Sequence, residues 1–224
     1  MNITRVERGD AEMRIFVVDD HPIVYQGLEQ LLDCEEDLAI CGYAVEANSA
    51  IKDIDKLKPD IIIVDISLKG SISGIELIKA VKKRFPNIVI LVLSMHDESL
   101  YAERAIRAGA RGYVKKEELT GTIVGAIREV MDGGLYLSES MTSRLLNSLY
   151  YEQPERVTAA TEKLTDRELE VLRLIGMGYT TIEIAKELNV SGKTISTHRL
   201  RIRHKLNLKS NSELIRYAVQ WEKG

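Results

Sequence analysis

The sequence has only two cysteines, Cys34 and Cys41, and neither has metal-ligand spacing or a histidine cluster beside it. That excludes a cysteine-based zinc site and fits reduced thiols in a cytoplasmic protein. No apolar run approaches the ~18 residues needed to span a bilayer, and no charged-then-apolar leader opens the chain. No self-similarity at a solenoid period is present, so a stacked-repeat architecture is excluded. What remains is 224 residues, 45% apolar and 29% charged, the composition of an ordinary soluble chain of one or two domains.

The net charge of −3 is unevenly spread. Residues 1–137 carry 17 Lys and Arg against 23 Asp and Glu, residues 138–163 carry 3 against 4, and residues 164–224 carry 11 against 7. An acidic front and a basic back predict two domains with different partners, the basic one a candidate for nucleic acid.

Ile61-Ile62-Ile63-Val64-Asp65 is the most informative stretch. Four β-branched residues in a row predict a short strand buried on both faces, as in a parallel sheet covered by helices. In open α/β sheets ligands bind beyond the carboxyl ends of the strands, so Asp65 should stand at the rim of a cleft. There it can be a nucleophile, a metal ligand or a helix cap. The surroundings of this strand follow a repeating order. Residues 1–13 are polar and without periodicity, a disordered extension in which Met13 is a second candidate start. Arg14 to Val18 predicts a strand closing on Asp19 and Asp20, and Pro22 suits the first turn of a helix. Leu38 to Tyr43 predicts a weaker strand, and Ala47 to Leu57 a helix stopped by Pro59. After Asp65 a polar loop runs from Ser67 to Gly74, then a helix ends near Pro86. Ile88 to Leu93 predicts a strand ending on Ser94, Leu100 to Ala108 a helix, Gly112 to Val114 a strand ending on Lys115 and Lys116, and Thr120 to Met131 a helix. Five strand–helix alternations predict a doubly wound five-stranded parallel sheet with helices on both faces.

Four of those strand ends deliver Asp19 and Asp20, Asp65, Ser94 and Lys116 to one rim. Three neighbouring carboxylates repel one another and want a cation, and all-oxygen ligation suits Mg²⁺ better than zinc. A lysine and Mg²⁺ together neutralise an incoming phosphoryl group and leave one carboxylate free to attack it. A single strand-end Asp is usually a cap; this conjunction is not explained that way.

Val17-Val18-Asp19-Asp20-His21-Pro22, Ile63-Val64-Asp65, Leu93-Ser94-Met95-His96-Asp97 and Gly109-Ala110-Arg111-Gly112-Tyr113-Val114-Lys115-Lys116 resemble the receiver domain of two-component response regulators, over roughly residues 14–134. The resemblance implies a flavodoxin-like fold and phosphorylation of Asp65 by a histidine kinase. It implies Mg²⁺ bound by Asp20, Asp65 and the backbone carbonyl of Ser67, with Asp19 acting nearby or through water. Ser94 and Lys116 would contact the phosphoryl group, and Tyr113 would be the aromatic that rotates on activation. Lys116 is selected over Lys115 because the family's Lys lies three residues after that aromatic. The chain departs from the family in the loop after Asp65. Lys69 stands where a Pro is usual, and Gly74 falls nine residues after Asp65 rather than eight, so the loop carries one extra residue.

Residues 138–163 are expected to hold a helix, Ser138 to Tyr151, and a polar linker from Glu152 to Glu162. From Leu164 onward only helix signals remain. Thr165 and Glu168 form a capping-box pattern at the start of a first helix, with Leu169, Leu172 and Ile175 on one face and Gly178 near its end. A short helix from Thr181 to Leu188, a turn at Asn189-Val190-Ser191 and a third helix to about Leu206 make a helix-turn-helix, in which the later helix enters the major groove. No acidic residue lies between Glu187 and Glu213, while Lys193, Arg199, Arg201, Arg203, Lys205 and Lys209 are all basic. Leu164-Thr165-x-Arg167-Glu168-x-Glu170-Val171-Leu172, Glu183-Ile184-Ala185 and Lys193-Thr194-Ile195-x-x-His198 resemble the LuxR/NarL-type DNA-binding domain. Ser196, Thr197 and Leu200 are then implied to face the bases of double-stranded DNA. Lys193, Thr194, Arg199, Arg201, Arg203 and Lys205 lie beside them.

The domain plan is therefore a receiver over 14–137, a helix and linker over 138–163, and a LuxR-type domain over 164–224. The expected function is phosphorylation-controlled dimerisation and DNA binding in the cytoplasm, with no enzymatic role beyond accepting the phosphoryl group and slow self-dephosphorylation. Three other readings stand beside it: a constitutive DNA binder with a docking-only receiver, a Mg²⁺-dependent aspartyl phosphatase, and a regulator sensing a small molecule. The phosphatase reading expects an Asp two residues after Asp65, where this chain has Ser67.

Overall fold

A computed structural model describes residues 12–70, 72–95, 98–150, 161 and 163–223. The expected extension lies almost wholly outside the described residues, as do most of the linker and the motif residues His96 and Asp97.

The strands are β1 (Met13–Val18), β2 (Leu38–Ala44), β3 (Ile61–Val64), β4 (Val89–Ser94) and β5 (Gly112–Lys115). All are parallel, in the order β2-β1-β3-β4-β5. Between and after them run α1 (Pro22–Leu32), α2 (Ala47–Leu57), α3 (Gly74–Arg84), α4 (Glu98–Ala108) and α5 (Leu119–Met131). Every residue of β3 is buried, because helices cover both faces of the sheet. Alternate side chains feed two cores. Phe16, Val18, Ile62, Val64, Ile90 and Val92 pack on one side with α2, α3 and α4. Ile15, Val17, Ile61, Ile63, Leu91 and Leu93 pack on the other with α1 and α5. Strand order reverses between β1 and β3, and there the loops diverge to leave a crevice.

Local chemistry sets the helix ends. Pro22 opens α1, and Lys58, in the left-handed region at φ 49°, closes α2 before Pro59. Ser73 caps α3 in a full capping box with Glu76. α4 begins at Glu98, two residues before the expected start. The carboxylate of Glu98 accepts from the Ser138 N–H at 3.0 Å, fixing the start of α6 (Glu139–Tyr150). Past α5 the chain turns back, and Tyr136 forms a parallel bridge with Gly112 at the outer side of β5.

The C-terminal unit contains α7 (Asp166–Gly176), α8 (Thr181–Glu187), α9 (Gly192–Lys205) and α10 (Asn211–Lys223). Leu169, Leu172, Ile175, Ile184, Ile195, Ile202, Leu214 and Ala218 are its buried centre. Thr165 and Thr180 each form a capping box, with Glu168 and Glu183. Ser191 caps α9 by accepting from the Thr194 N–H at 3.1 Å. α8, the turn through Asn189 and α9 form the expected helix-turn-helix.

The two units touch through groups far apart in sequence. Arg104 on α4 donates to the Thr161 carbonyl at 2.7 Å, the Leu164 carbonyl at 3.0 Å and Asp166 Oδ1 at 3.0 Å. Lys79 on α3 reaches Asp166 Oδ2 at 2.9 Å. The Gly70 N–H donates to the Leu188 carbonyl at 3.0 Å, and the buried Arg167 guanidinium donates to the Gly70 carbonyl.

Candidate functional site

The register of the sheet assembles the acidic cluster. Val18 pairs with Val64, so Asp19 and Asp65 leave adjacent strand ends side by side at the crevice. Ser94 is buried at the end of β4, in register with Lys115. Lys116 begins a single 3-10 turn (Lys116–Glu118), which carries its side chain inward where Lys115 continues the strand. Lys116 Nζ lies 2.6 Å from Asp19 Oδ2 and 2.7 Å from Asp65 Oδ2. Asp65 Oδ1 accepts the Ser67 N–H at 3.1 Å. Tyr113 is buried one position below the rim, level with Val92.

Asp19, Asp20, His21 and Asp65 each offer a ligand atom, all within 4.8 Å of one another. Neither Asp20 oxygen accepts a hydrogen bond of regular geometry among the described residues, although both are buried. Two side-chain nitrogens approach them: His21 Nδ1 lies 3.2 Å from Oδ1, and the Lys69 ammonium lies 3.0 Å from Oδ2. Neither His21 nor Lys69 is assigned to the cluster by the sequence pattern; the fold brings both there. Burial pushes the Asp65 carboxyl above the usual carboxylate range, and Asp19 adds to this while Lys116 pulls against it. Burial also works against the Lys116 charge, but Asp65 and Asp19 together outweigh it and hold that ammonium above the ordinary lysine value. A cluster of buried carboxylate oxygens with too few donors is chemically suited to a hard cation.

The loop after Asp65 is closed tightly at its base. A Cβ at Gly74 would fall 2.1 Å from the Asp65 carbonyl oxygen and 2.6 Å from Ile66 Cα. The Gly74 N–H donates to the Ile66 carbonyl at 3.0 Å, closing the loop at its base. Farther out, Gly70 adopts φ +111°, a conformation that favours glycine.

On α9 the expected DNA-facing residues divide. Lys193, Ser196, Thr197, Leu200 and Arg201 are exposed, Leu200 to 63%. Arg199, Arg203 and Lys205 are partly buried and engaged within the fold. Arg199 donates to Thr181 Oγ1 at 3.2 Å and Asn211 Oδ1 at 3.4 Å, and burial lowers its pKa. Arg203 donates to the Lys209 carbonyl at 2.7 Å, and Lys205 pairs with Glu168 at 2.6 Å. Thr194 shares a hydrogen bond with Ser191 at 2.8 Å. The hydroxyls of Ser196 and Thr197 donate to backbone carbonyls one turn back.

Residues 15–128 match the response regulator receiver domain, and residues 162–218 match the bacterial regulatory proteins of the luxR family. The oxygen regulatory protein NreC of Staphylococcus carnosus is 34% identical over 211 residues, covering 93% of this chain and 97% of that one. Its Staphylococcus aureus counterpart is 34% identical over the same shares. Among solved structures, the RcsB response regulator of Salmonella typhimurium aligns with TM-score 0.65 at 29% identity, over 94% of this chain and 98% of that one. RcsB from Salmonella enterica serovar Typhimurium bound to promoter rprA aligns with TM-score 0.59 at 29% identity, over 93% of this chain and 98% of that one. A five-stranded parallel sheet with this cluster at its switch point, followed by a helix-turn-helix unit, is the architecture of a response regulator. The chain belongs to the two-component response regulators with a LuxR-type (NarL/FixJ) C-terminal domain. No helix among the described residues is long and apolar enough to cross a membrane.

Proposed function

We propose that Asp65 accepts a phosphoryl group from a histidine kinase and that this controls dimerisation and sequence-specific DNA binding by the C-terminal unit. The observation that carries the reading is the buried Lys116 ammonium bridging Asp19 and Asp65, while Asp20 stands beside them without a hydrogen bond of regular geometry among the described residues. Asp20, Asp65 and the Ser67 carbonyl would hold Mg²⁺, with Asp19 reaching it through water. When bound, the ion supplies charge neutralisation for the incoming phosphoryl oxygens. An Asp65 carboxylate oxygen attacks phosphorus, and the bond to the phosphohistidine nitrogen breaks in the same displacement. Lys116 balances the charge that develops on the phosphoryl oxygens, and the Ser94 hydroxyl donates to one of them. Tyr113, buried against the same core as α4, is the side chain whose packing responds. The chain itself does not turn over a substrate beyond slow loss of its own phosphoryl group.

The receiver spans 14–137 and the DNA-binding domain 164–224, joined by 138–163, in a cytoplasmic protein. The exposed row on α9, with Lys193, Ser196, Thr197, Leu200 and Arg201, would meet double-stranded DNA, the two basic residues on phosphates. Thr194 and the more engaged Arg199, Arg203 and Lys205 support that row from beside it. Mass spectrometry after treatment with acetyl phosphate and Mg²⁺ tests the first half. A phosphoryl adduct on wild type that is missing from Asp65→Asn is expected, and an adduct that persists in the variant overturns the assignment. Selection from random DNA pools, with and without phosphorylation, tests the second half.

A further inference from the structure

Lys69 and Gly70 are neighbours with opposite attachments. The Lys69 ammonium enters the acidic cluster and lies 3.0 Å from Asp20 Oδ2. The next residue, Gly70, is pinned to the helix-turn-helix unit through both its N–H and its carbonyl. Its N–H donates at 3.0 Å to the carbonyl of Leu188, the residue that caps the C-terminus of α8. Its carbonyl accepts from Arg167, whose guanidinium also reaches the Leu188 carbonyl at 3.1 Å and Glu170 at 2.6 Å. The same face carries the Asp166 clasp, with Arg104 at 3.0 Å and Lys79 at 2.9 Å. The loop that leaves Asp65 therefore touches the other domain within five residues.

We propose that Lys69 is a tethered cation that competes with Mg²⁺ for Asp20, and that its displacement loosens the Gly70 clip, so that metal binding and domain docking oppose each other. Lys69 and Mg²⁺ repel each other across a single carboxylate, in a site that already holds the Lys116 ammonium. When Mg²⁺ takes Asp20, the Lys69 side chain turns out to solvent, and the loop loses the ion pair that holds Gly70 in position against Leu188 and Arg167. Gly70 has the torsional freedom to follow, and no atom lies within 4 Å of where its Cβ would be. Coupling of this kind is reciprocal: whatever loosens the docked face must tighten Mg²⁺ binding by the same factor. The inference rests on the Mg²⁺ site proposed above.

The reciprocity gives a test that ordinary electrostatics does not mimic. Asp166→Asn removes a negative charge and weakens the clasp with Arg104 and Lys79. Charge alone predicts weaker Mg²⁺ binding in that variant, whereas linkage predicts tighter binding, by about threefold to tenfold, in calorimetric titration of the full chain with MgCl₂ at fixed ionic strength. Lys69→Met should also bind Mg²⁺ about tenfold tighter, while Lys69→Arg stays near wild type. In wild type, saturating Mg²⁺ should speed hydrogen exchange at the Gly70 amide at least fivefold, and NaCl of equal ionic strength should not. Unchanged or weaker Mg²⁺ affinity in Asp166→Asn overturns the coupling, as does Gly70 exchange indifferent to Mg²⁺. Phosphorylation of Asp65 is scored separately in each variant. Failure of wild type to bind Mg²⁺ or to be labelled there refutes the underlying site, whereas normal labelling with no affinity change in Asp166→Asn refutes only the linkage.

Discussion

Alanine at Gly74 would place a methyl carbon 2.1 Å from the carbonyl oxygen of Asp65, 2.6 Å from Ile66 Cα and 2.9 Å from the Asp65 carbonyl carbon, well inside the 3.4 Å at which ordinary contact begins. All three atoms are backbone, so no side chain can rotate away to relieve the overlap. Either α3 retreats from β3, opening the packing of Ile75 and Ile78, or the Asp65 peptide turns. Overpacking of this kind costs about 1–3 kcal/mol, and an unyielding backbone contact belongs at the upper end. With a urea slope of about 2 kcal/mol/M, a loss of roughly 3 kcal/mol lowers the receiver's unfolding midpoint by roughly 1.5 M. Gly125→Ala is the matched control, because Gly125 lies in α5 and a Cβ added there would have nothing within 4 Å. It should gain about 0.5–1 kcal/mol from helix propensity alone. Gly74→Ala should also slow Asp65 phosphorylation, since the strained peptide belongs to the phosphoacceptor. A midpoint within about 0.3 M of wild type for Gly74→Ala would refute the reasoning.

Two further perturbations probe the helical unit. Burial and the nearby Arg167 guanidinium hold the His198 pKa below its ordinary value. The unfolded chain then takes up a proton more readily than the folded one, so stability is full above the unfolded value of about 6.5 and declines as pH falls toward the folded value; in thermal melts His198→Gln should flatten that decline, and an unchanged profile contradicts it. Arg201→Ala, at an exposed position, should reduce the salt dependence of DNA binding by about one unit of slope. Arg199→Ala should instead destabilise the fold by about 1 kcal/mol, because Thr181 and Asn211 lose their donor; a pure binding defect in Arg199→Ala, measured by melts beside titrations, would reverse the assignment.

Much of the fold was legible because its signals are local. The run Ile61 to Val64 can be satisfied only by burial on both faces, and the parallel sheet follows from five such runs separated by helices. The rim of Asp19, Asp65 and Ser94 was legible for the same reason, since each lies at the end of its own strand, whereas the choice of Lys116 over Lys115 came from the family resemblance, and Lys116 begins the turn after β5. Thr165 with Glu168 announces a helix start, and Ser73 with Glu76 and Thr180 with Glu183 carry the same four-residue signature at two helices whose caps the periodicity alone does not mark. The docked face was not legible. Arg104 and Asp166 are 62 residues apart, and no spacing rule links a guanidinium on a receiver helix to the first turn of another domain. Lys69 stands out as a departure from a familiar loop, but its ion pair with Asp20 leaves no local mark in the sequence. Nor does a row of basic residues reveal which members are spent internally: Arg199 and Arg203 look no different from Arg201 until α8, α10 and the turn after α9 are in place.

The turn-back after α5 has a consequence for how copies of this chain can associate. Tyr136 accepts the Tyr113 N–H at 2.9 Å and donates to the Arg111 carbonyl at 3.0 Å, so the outer rim of β5 is already occupied by the chain's own backbone. The opposite rim is β2, where the pairing with β1 slips between Ile15 and Phe16 and leaves Cys41 as the surplus residue. A bulged rim is a poor template for a neighbouring strand, and a filled one is no template at all. Continuous-sheet dimers and edge-driven aggregation are thereby disfavoured together, which leaves helix and loop surfaces for a homodimer of this regulator.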